Sequence, residues 1–258
     1  MNRIRRTEAI CLRTQDRHES SKLVTLLTPD YGKLTVIAKG ARRPKNKFGA
    51  ALNLFARSRI IYYHHQQHAT HTLSDAELVW SPAAITLVPE RFLAAGQMTE
   101  FVLKALPHHD PNPRLYQLLA TNLLVLSQAA AGYDLLTVAF LLKAASFLGF
   151  RPELGHCLVC HQSPKTGAVF AARRGGIICS ECGAGTSDVD PLPLEQLTLL
   201  QKLLYTPSAA IPTLSPISPV TNLAPLIKNF LSHHFTPVVL NSLRWSASDP
   251  PLNKTGAP

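Results

Sequence analysis

Acidic residues are scarce in this chain of 258 residues: 16 Asp and Glu stand against 26 Lys and Arg, a formal net charge of +10. With carboxylates so few and so scattered, a two-metal nuclease centre is hard to assemble. The signatures G-x-x-x-x-G-K-[ST], H-E-x-x-H and G-x-S-x-G are missing, as is the deaminase pairing of H-x-E with P-C-x-x-C. No long hydrophobic run occurs. The most apolar segment, 135–150, carries Lys143 and is too short to span a bilayer. The first residues, Met1 to Glu8, lead into no apolar stretch of the signal-peptide kind. Cysteine is limited to five positions, which does not suit a disulfide scaffold and fits a reducing compartment. These absences predict a cytoplasmic protein with no membrane partner.

Four of the five cysteines form two C-x-x-C pairs, Cys157 with Cys160 and Cys179 with Cys182. Cys11 stands alone in an apolar run and reads as core. A pair spaced by two residues can turn back and offer both sulfurs to one metal ion. Two such pairs complete a tetrahedral shell of four thiolates, with no open position for a reacting water. The spacing predicts one structural zinc ion. Ala168–Ala172 and Gly176–Ile178 read as short strands joined by a turn at Arg173, Arg174, Gly175 and Gly176. His156 and His161 flank the first pair and offer alternative ligands.

The positive charge is local. Residues 1–59 hold 14 Lys and Arg against 4 Asp and Glu, and the rest of the chain holds 12 of each. Such asymmetry points to a polyanion-binding surface near the N-terminus. The same quarter is rich in β-branched runs. Residues 7–14, 22–28, 33–39, 54–64 and 70–79 read as five short strands, with a turn at Pro29-Asp-Tyr-Gly32. Five strands in about eighty residues predict a small closed β-barrel of OB type over 1–80, with an SH3-like barrel as the structural alternative.

After Trp80 the period changes. Residues 89–106 and 115–126 carry apolar positions at helical spacing, and 133–149 is apolar nearly all round, as the central helix of a bundle would be. Helices are also expected over 192–205, 222–235 and 238–245, and the four prolines of 206–219 read as a loop. The expected class is therefore α+β and multi-domain. A helical domain over 81–245 carries the zinc module at 155–185, and a disordered tail occupies 246–258.

Between the third and fourth strands lies Gly40-Ala-Arg-Arg-Pro-Lys-Asn-Lys-Phe-Gly49. Lys39, Arg42, Arg43, Lys45 and Lys47 crowd this stretch with no acidic neighbour. Cations on such a loop can follow a phosphate backbone and release its counterions. Arg5, Arg6, Arg57 and Arg59, with Arg3, are further candidate contacts. Tyr31, Phe48, Phe55, Tyr62 and Tyr63 lie nearby as stacking platforms or, alternatively, as core. One of Tyr62 and Tyr63 must point inward by strand alternation. The pairs His64-His65, His108-His109 and His233-His234 sit at expected element ends and are read as surface or packing residues.

The run from Leu23 to Arg43, LVTLLTPDYGKLTVIAKGARR, resembles the N-terminal barrel of the RecO family of bacterial recombination mediators. The barrel-to-helix transition and the position of the cysteine motif match as well. The resemblance implies an OB-fold joined to a helical domain with a zinc module. It also implies binding of single- and double-stranded DNA, annealing of complementary strands and a nucleoid-associated location. The implied partners are the C-terminal tail of single-strand-binding protein, RecR and, indirectly, RecA. The residues leave two rivals: a zinc-bearing RNA-binding or ribosome-associated protein, and a zinc-dependent enzyme acting on nucleic acid.

Overall fold

A computed structural model describes residues 3–17, 19–66, 68–214 and 223–235. The last expected helix, 238–245, and the tail 246–258 lie outside the described residues.

Five strands form a closed barrel: β1 (Arg3–Arg17), β2 (Ser21–Thr28), β3 (Gly32–Ala38), β4 (Arg57–His64) and β5 (Thr70–Trp80). Their order is β1-β2-β3-β5-β4, closing on β1. All pairs are antiparallel except β3 with β5. This is the OB-type arrangement, so the SH3-like alternative falls away. β1 is long because it serves both neighbours. Its first half pairs with β4, from Arg3 opposite His64 to Ile10 opposite Arg57, and its second half pairs with β2. A register shift between Cys11 and Arg13 bends the strand between the two duties. Alternation puts Ala9, Cys11, Val24, Leu26, Leu34, Val36, Ile60 and Tyr62 inside the barrel. Residues 54–56, expected as strand, are not in β4; Phe55 takes a φ of 70° there and turns its ring into the core.

A short helix, α1 (Ala83–Thr86), leads into α2 (Pro89–Ala105), α3 (Pro113–Gln128) and α4 (Tyr133–Phe147). Proline opens α2 and α3, where its missing N–H costs nothing. The Asn112 side chain accepts the Leu115 N–H at 2.9 Å and caps α3. α4 is buried continuously from Leu135 to Leu142. Around it pack α2, α3, α6 (Leu194–Tyr205), α7 (Leu223–His234) and a 3-10 turn, Ser208–Thr213, inside the segment expected as loop. The cysteine module adds α5 (Ser180–Gly183) and a sheet of β6 (Ala168–Ala171), β7 (Gly176–Cys179) and β8 (Asp190–Leu192), in order β7-β6-β8.

The barrel keeps an interior cluster of its own, while its helix-facing side joins the helical core. Ile10, Leu12, Leu27 and Phe55 join the helical cluster, and Phe55 meets Phe92 with ring centroids 5.5 Å apart. Tyr116 donates from its hydroxyl to Glu8 Oε2 at 3.2 Å. Lys33 is buried at 5% exposure and donates from Nζ to the Leu103 carbonyl near the end of α2, where the helix presents its negative pole. Burial lowers the pKa of that ammonium. The Lys33 carbonyl accepts the His109 N–H at 2.9 Å, and Gly32 lies against the Asp110 backbone.

Candidate metal centre and nucleic-acid interface

The four cysteines converge. Their Sγ atoms all lie within 4.8 Å of one another, and they are the one such cluster among the described residues. Cys160 and Cys179 are 3.8 Å apart, Sγ to Sγ. A tetrahedron with metal–sulfur bonds of about 2.3 Å has edges of about 3.8 Å, so the spacing fits a bound ion. The local backbone supports thiolates. Cys157 Sγ accepts N–H bonds from Cys179 at 3.3 Å and Val159 at 3.4 Å. Burial works to raise the Cys157 pKa, but N–H groups of Cys160, Cys179 and Val159 outweigh it and hold the thiol down to about 6. Cys182 goes the other way, pushed up to about 12 by hydrogen bonds with Cys179 and Cys160. Four thiols this close cannot all ionise without a cation between them, which is the requirement a metal ion meets. His156 instead lies 3.8 Å from Glu153, and neither it nor His161 belongs to the cluster.

On the barrel, the cations of the loop after β3 are all exposed: Lys39, Arg42, Arg43, Lys45 and Lys47. Asn46 Oδ1 accepts the N–H groups of Phe48 and Gly49, at 3.0 and 2.9 Å. Buried Phe48 anchors the turn, with Lys47 Nζ 5.4 Å from its ring centroid. Arg42 is tied back to β1: its Nε lies 3.3 Å from Asp16, and its backbone N–H reaches the Ser20 carbonyl at 3.0 Å.

The other candidate cations differ in environment. Arg6 is exposed on β1, and the Arg5 guanidinium sits 4.6 Å from the Tyr31 ring centroid. Arg59 is paired with Glu77 at 2.9 Å. Arg57 is half-buried beside Trp80 and Leu124, at the seam with the helices. The structure therefore groups the five loop cations and leaves Arg57 and Arg59 apart from them. Phe48, Phe55 and Tyr62 are buried and cannot stack on bases; Tyr63 is exposed and Tyr31 partly so.

The family model for the recombination protein O N-terminal domain matches residues 1–82, and that for the C-terminal domain matches 88–243. The DNA repair protein RecO of Geobacter metallireducens is 33% identical over 241 residues, 92% of this chain and 95% of the relative. That of Symbiobacterium thermophilum is 32% identical over 200 residues, covering 76% and 78%. The RecO protein of Myxococcus xanthus is 32% identical over 196 residues, covering 76% and 80%. The chain belongs to the RecO family. Membership assigns it a role in DNA repair. Among the described residues, no helix of this RecO-family chain is long and apolar enough to cross a membrane.

Two groupings in the RecO-family barrel were missed by sequence reasoning. Arg17, at the end of β1, lines one cleft with Lys39 and Arg43. The signal was only the local excess of charge, since Arg17 is 22 positions from Lys39. The second grouping is of histidines. His71 is buried on β5 and stacked 5.4 Å from Tyr62, and its Nδ1 accepts the His65 N–H at 3.3 Å. The rings of His64, His109 and His65 lie 4.5, 5.5 and 6.4 Å away.

Burial first, then repulsion from His64, His109, His65 and Arg5, lowers the His71 pKa to about 4 from 6.5. Between those values the unfolded chain binds a proton that the folded chain refuses. This contribution to stability is therefore complete above pH 6.5 and is lost as pH falls towards 4. Melting temperature should drop across that window, and His71→Phe should make the drop shallower. Parallel profiles for the two proteins would refute the assignment.

Proposed function

We propose that this chain is a non-catalytic mediator that binds DNA through its barrel and brings complementary strands together. The observation that carries the reading is the exposed loop bearing Lys39, Arg42, Arg43, Lys45 and Lys47, mounted on an OB-type barrel. A cationic surface lowers the repulsion between two phosphate backbones, so two strands can meet on it with no bond made or broken. Gly40, Pro44 and Gly49 suit a loop that follows a backbone better than a rigid element that enters a groove.

The four cysteines are proposed to hold one structural zinc ion, because a closed shell of four thiolates suits zinc and supplies no site for chemistry. That closure also supports a non-enzymatic role. By analogy with the family, the helical region over 81–245 is proposed to dock the acidic, apolar-ended tail of single-strand-binding protein, to engage RecR and to assist loading of RecA. The compartment consistent with this role is the cytoplasm, at the nucleoid.

An annealing assay with complementary oligonucleotides, with and without single-strand-binding protein, tests the function. Acceleration is expected in both settings, and no acceleration in either would overturn the reading. A structured-RNA competitor that outcompetes the DNA would transfer the reading to RNA.

The loop makes a quantitative prediction. Each phosphate contact contributes about 0.7 to 0.9 to the slope of log affinity against log salt. Replacing Arg42, Arg43, Lys45 and Lys47 with alanine should weaken binding alike on unrelated sequences and flatten the slope by roughly 2 to 3, since Arg42 is already engaged by Asp16. Melting temperature and zinc content should stay close to the parent's. An unchanged slope would move the contact to Arg5 and Arg6, and a sequence-selective loss would count against backbone reading.

A further inference from the structure

The β1–β2 turn and the loop after β3 come together around a cleft of about 500 Å³. Its walls carry three cations, Arg17, Lys39 and Arg43, together with Ser20, Ser21 and the backbone of Gly40. Among the described residues, no acidic side chain lines it. The nearest acid on β1, Asp16, is occupied by Arg42, and Glu19 does not reach the lining. Among the described residues, Arg17, Lys39 and Arg43 make no ion pair. Three cations without counter-charge facing one concavity repel one another, and an anion relieves that repulsion. Serine hydroxyls and a glycine backbone add neutral donors of the kind that commonly contact phosphate oxygens.

We infer that this cleft is a phosphate-binding site built from two loops, in which Arg17 is as much a ligand residue as Lys39 and Arg43. The inference rests on the DNA-binding reading above and specifies its contact. It also divides the loop by task. Arg42 acts as a positioning residue: its pair with Asp16 and its N–H bond to Ser20 hold the two loops against each other, so that Arg17 and Arg43 face one space. Lys45 and Lys47, beyond the cleft, make looser contacts. The phosphate can come from inside a strand or from its 5′ end; both offer the same oxygens, but the terminal group carries more charge, about −1.5 to −2 at pH 7.

The test uses the full chain and one single-stranded oligonucleotide prepared with and without a 5′-phosphate. Arg17→Ala should weaken binding severalfold and flatten the salt slope by about 0.7, the increment of one single-strand phosphate contact, as Arg43→Ala should. Arg59→Ala, which removes a cation paired with Glu77, should do neither. Asp16→Asn should reduce affinity although it removes a negative charge, a result that a purely additive charge effect would reverse. Weakening by Arg17→Ala on both oligonucleotides assigns the cleft to internal phosphates. Weakening confined to the phosphorylated one assigns it to strand ends. If Arg17→Ala binds both as the parent does while the quadruple loop variant is weakened, the cleft is wrong and the loop reading survives. If both variants match the parent, the loop reading fails as well.

Discussion

Alanine at position 32 should lower the melting temperature by roughly 6 to 12 °C. Gly32 ends the β2–β3 turn at a φ of 65°, where its carbonyl accepts the Thr28 hydroxyl at 3.0 Å. A side chain in that left-handed region costs about 1 to 2 kcal/mol. The larger problem is space. A Cβ would stand 2.3 Å from the Asp110 carbonyl oxygen, 2.5 Å from its carbon and 2.7 Å from its nitrogen. All three are backbone atoms, so no side chain can swing aside. Relief requires the segment after α2 to move, and that segment is fixed by the His109 N–H bond to Lys33 and the bridge between Lys33 and His108. Overpacking of this kind adds about 1 to 3 kcal/mol. A total near 3 kcal/mol converts at about 2 to 4 °C per kcal/mol for a chain of this size. Gly49→Ala is the control: its φ is 49°, but nothing lies within 4 Å of the added carbon. It should show the conformational cost alone. Equal shifts for the two variants, by calorimetry, would mean that the seam yields easily.

Loss of the metal should be costlier still. On the zinc assignment, fresh protein carries one zinc per chain by elemental analysis, and Cys179→Ser carries little or none. Apart from Ala168, Phe170, Ala172, Ile177 and Leu192, which join the main core, the module has few other resources. Its own buried apolar cluster is Cys157, Ala171 and Ile178, and its strands are four, four and three residues long. It is tied to α7 by the Phe170–Phe230 contact, centroids 6.0 Å apart, and to the segment after α4 by the backbone bonds of Glu153 with Gly175 and Ile177. Structural zinc supplies folding energy to such modules directly. Loss of about 5 kcal/mol, the scale of a lost metal site, corresponds to roughly 10 to 20 °C in melting temperature. DNA affinity per folded molecule should hold, because the cysteines are remote in sequence from the basic loop. An undiminished melting temperature with no zinc would dismiss the structural role. Lost DNA binding at full stability would instead place Arg173 and Arg174 on the DNA.

The elements that sequence exposed were those with a sustained signal. β2 and β3 are β-branched runs bounded by turn residues, α4 is apolar on every face, and the paired cysteine spacing marks its own geometry. Short elements were lost: α1 and β8 are too brief to show a period, and Pro191 argues against a strand until β8 is seen pairing on one side only, with β6. Side-chain direction was legible for Tyr62 against Tyr63 only as a choice of one. For Phe55 it was not legible at all, because its inward turn depends on a positive φ. The convergence of His64, His71 and His109 follows from the β3–β5 pairing that closes the barrel, and that of Arg17 with Arg43 from the β1-β2-β3 meander; neither leaves a local trace.

That closure also bears on how the chain assembles. β1, β2 and β3 can zip together from neighbours in sequence, but the first half of β1 must wait for β4, with residue 3 opposite residue 64. Late, non-local pairing of this sort slows folding. Until it happens, β1 and β3 each present an open edge, the geometry most prone to pairing with another chain. The waiting half of β1 carries Arg3, Arg5 and Arg6. Like charges on an unfinished edge disfavour its pairing with a second copy, and Arg5 and Arg6 place such charge on the waiting half of β1.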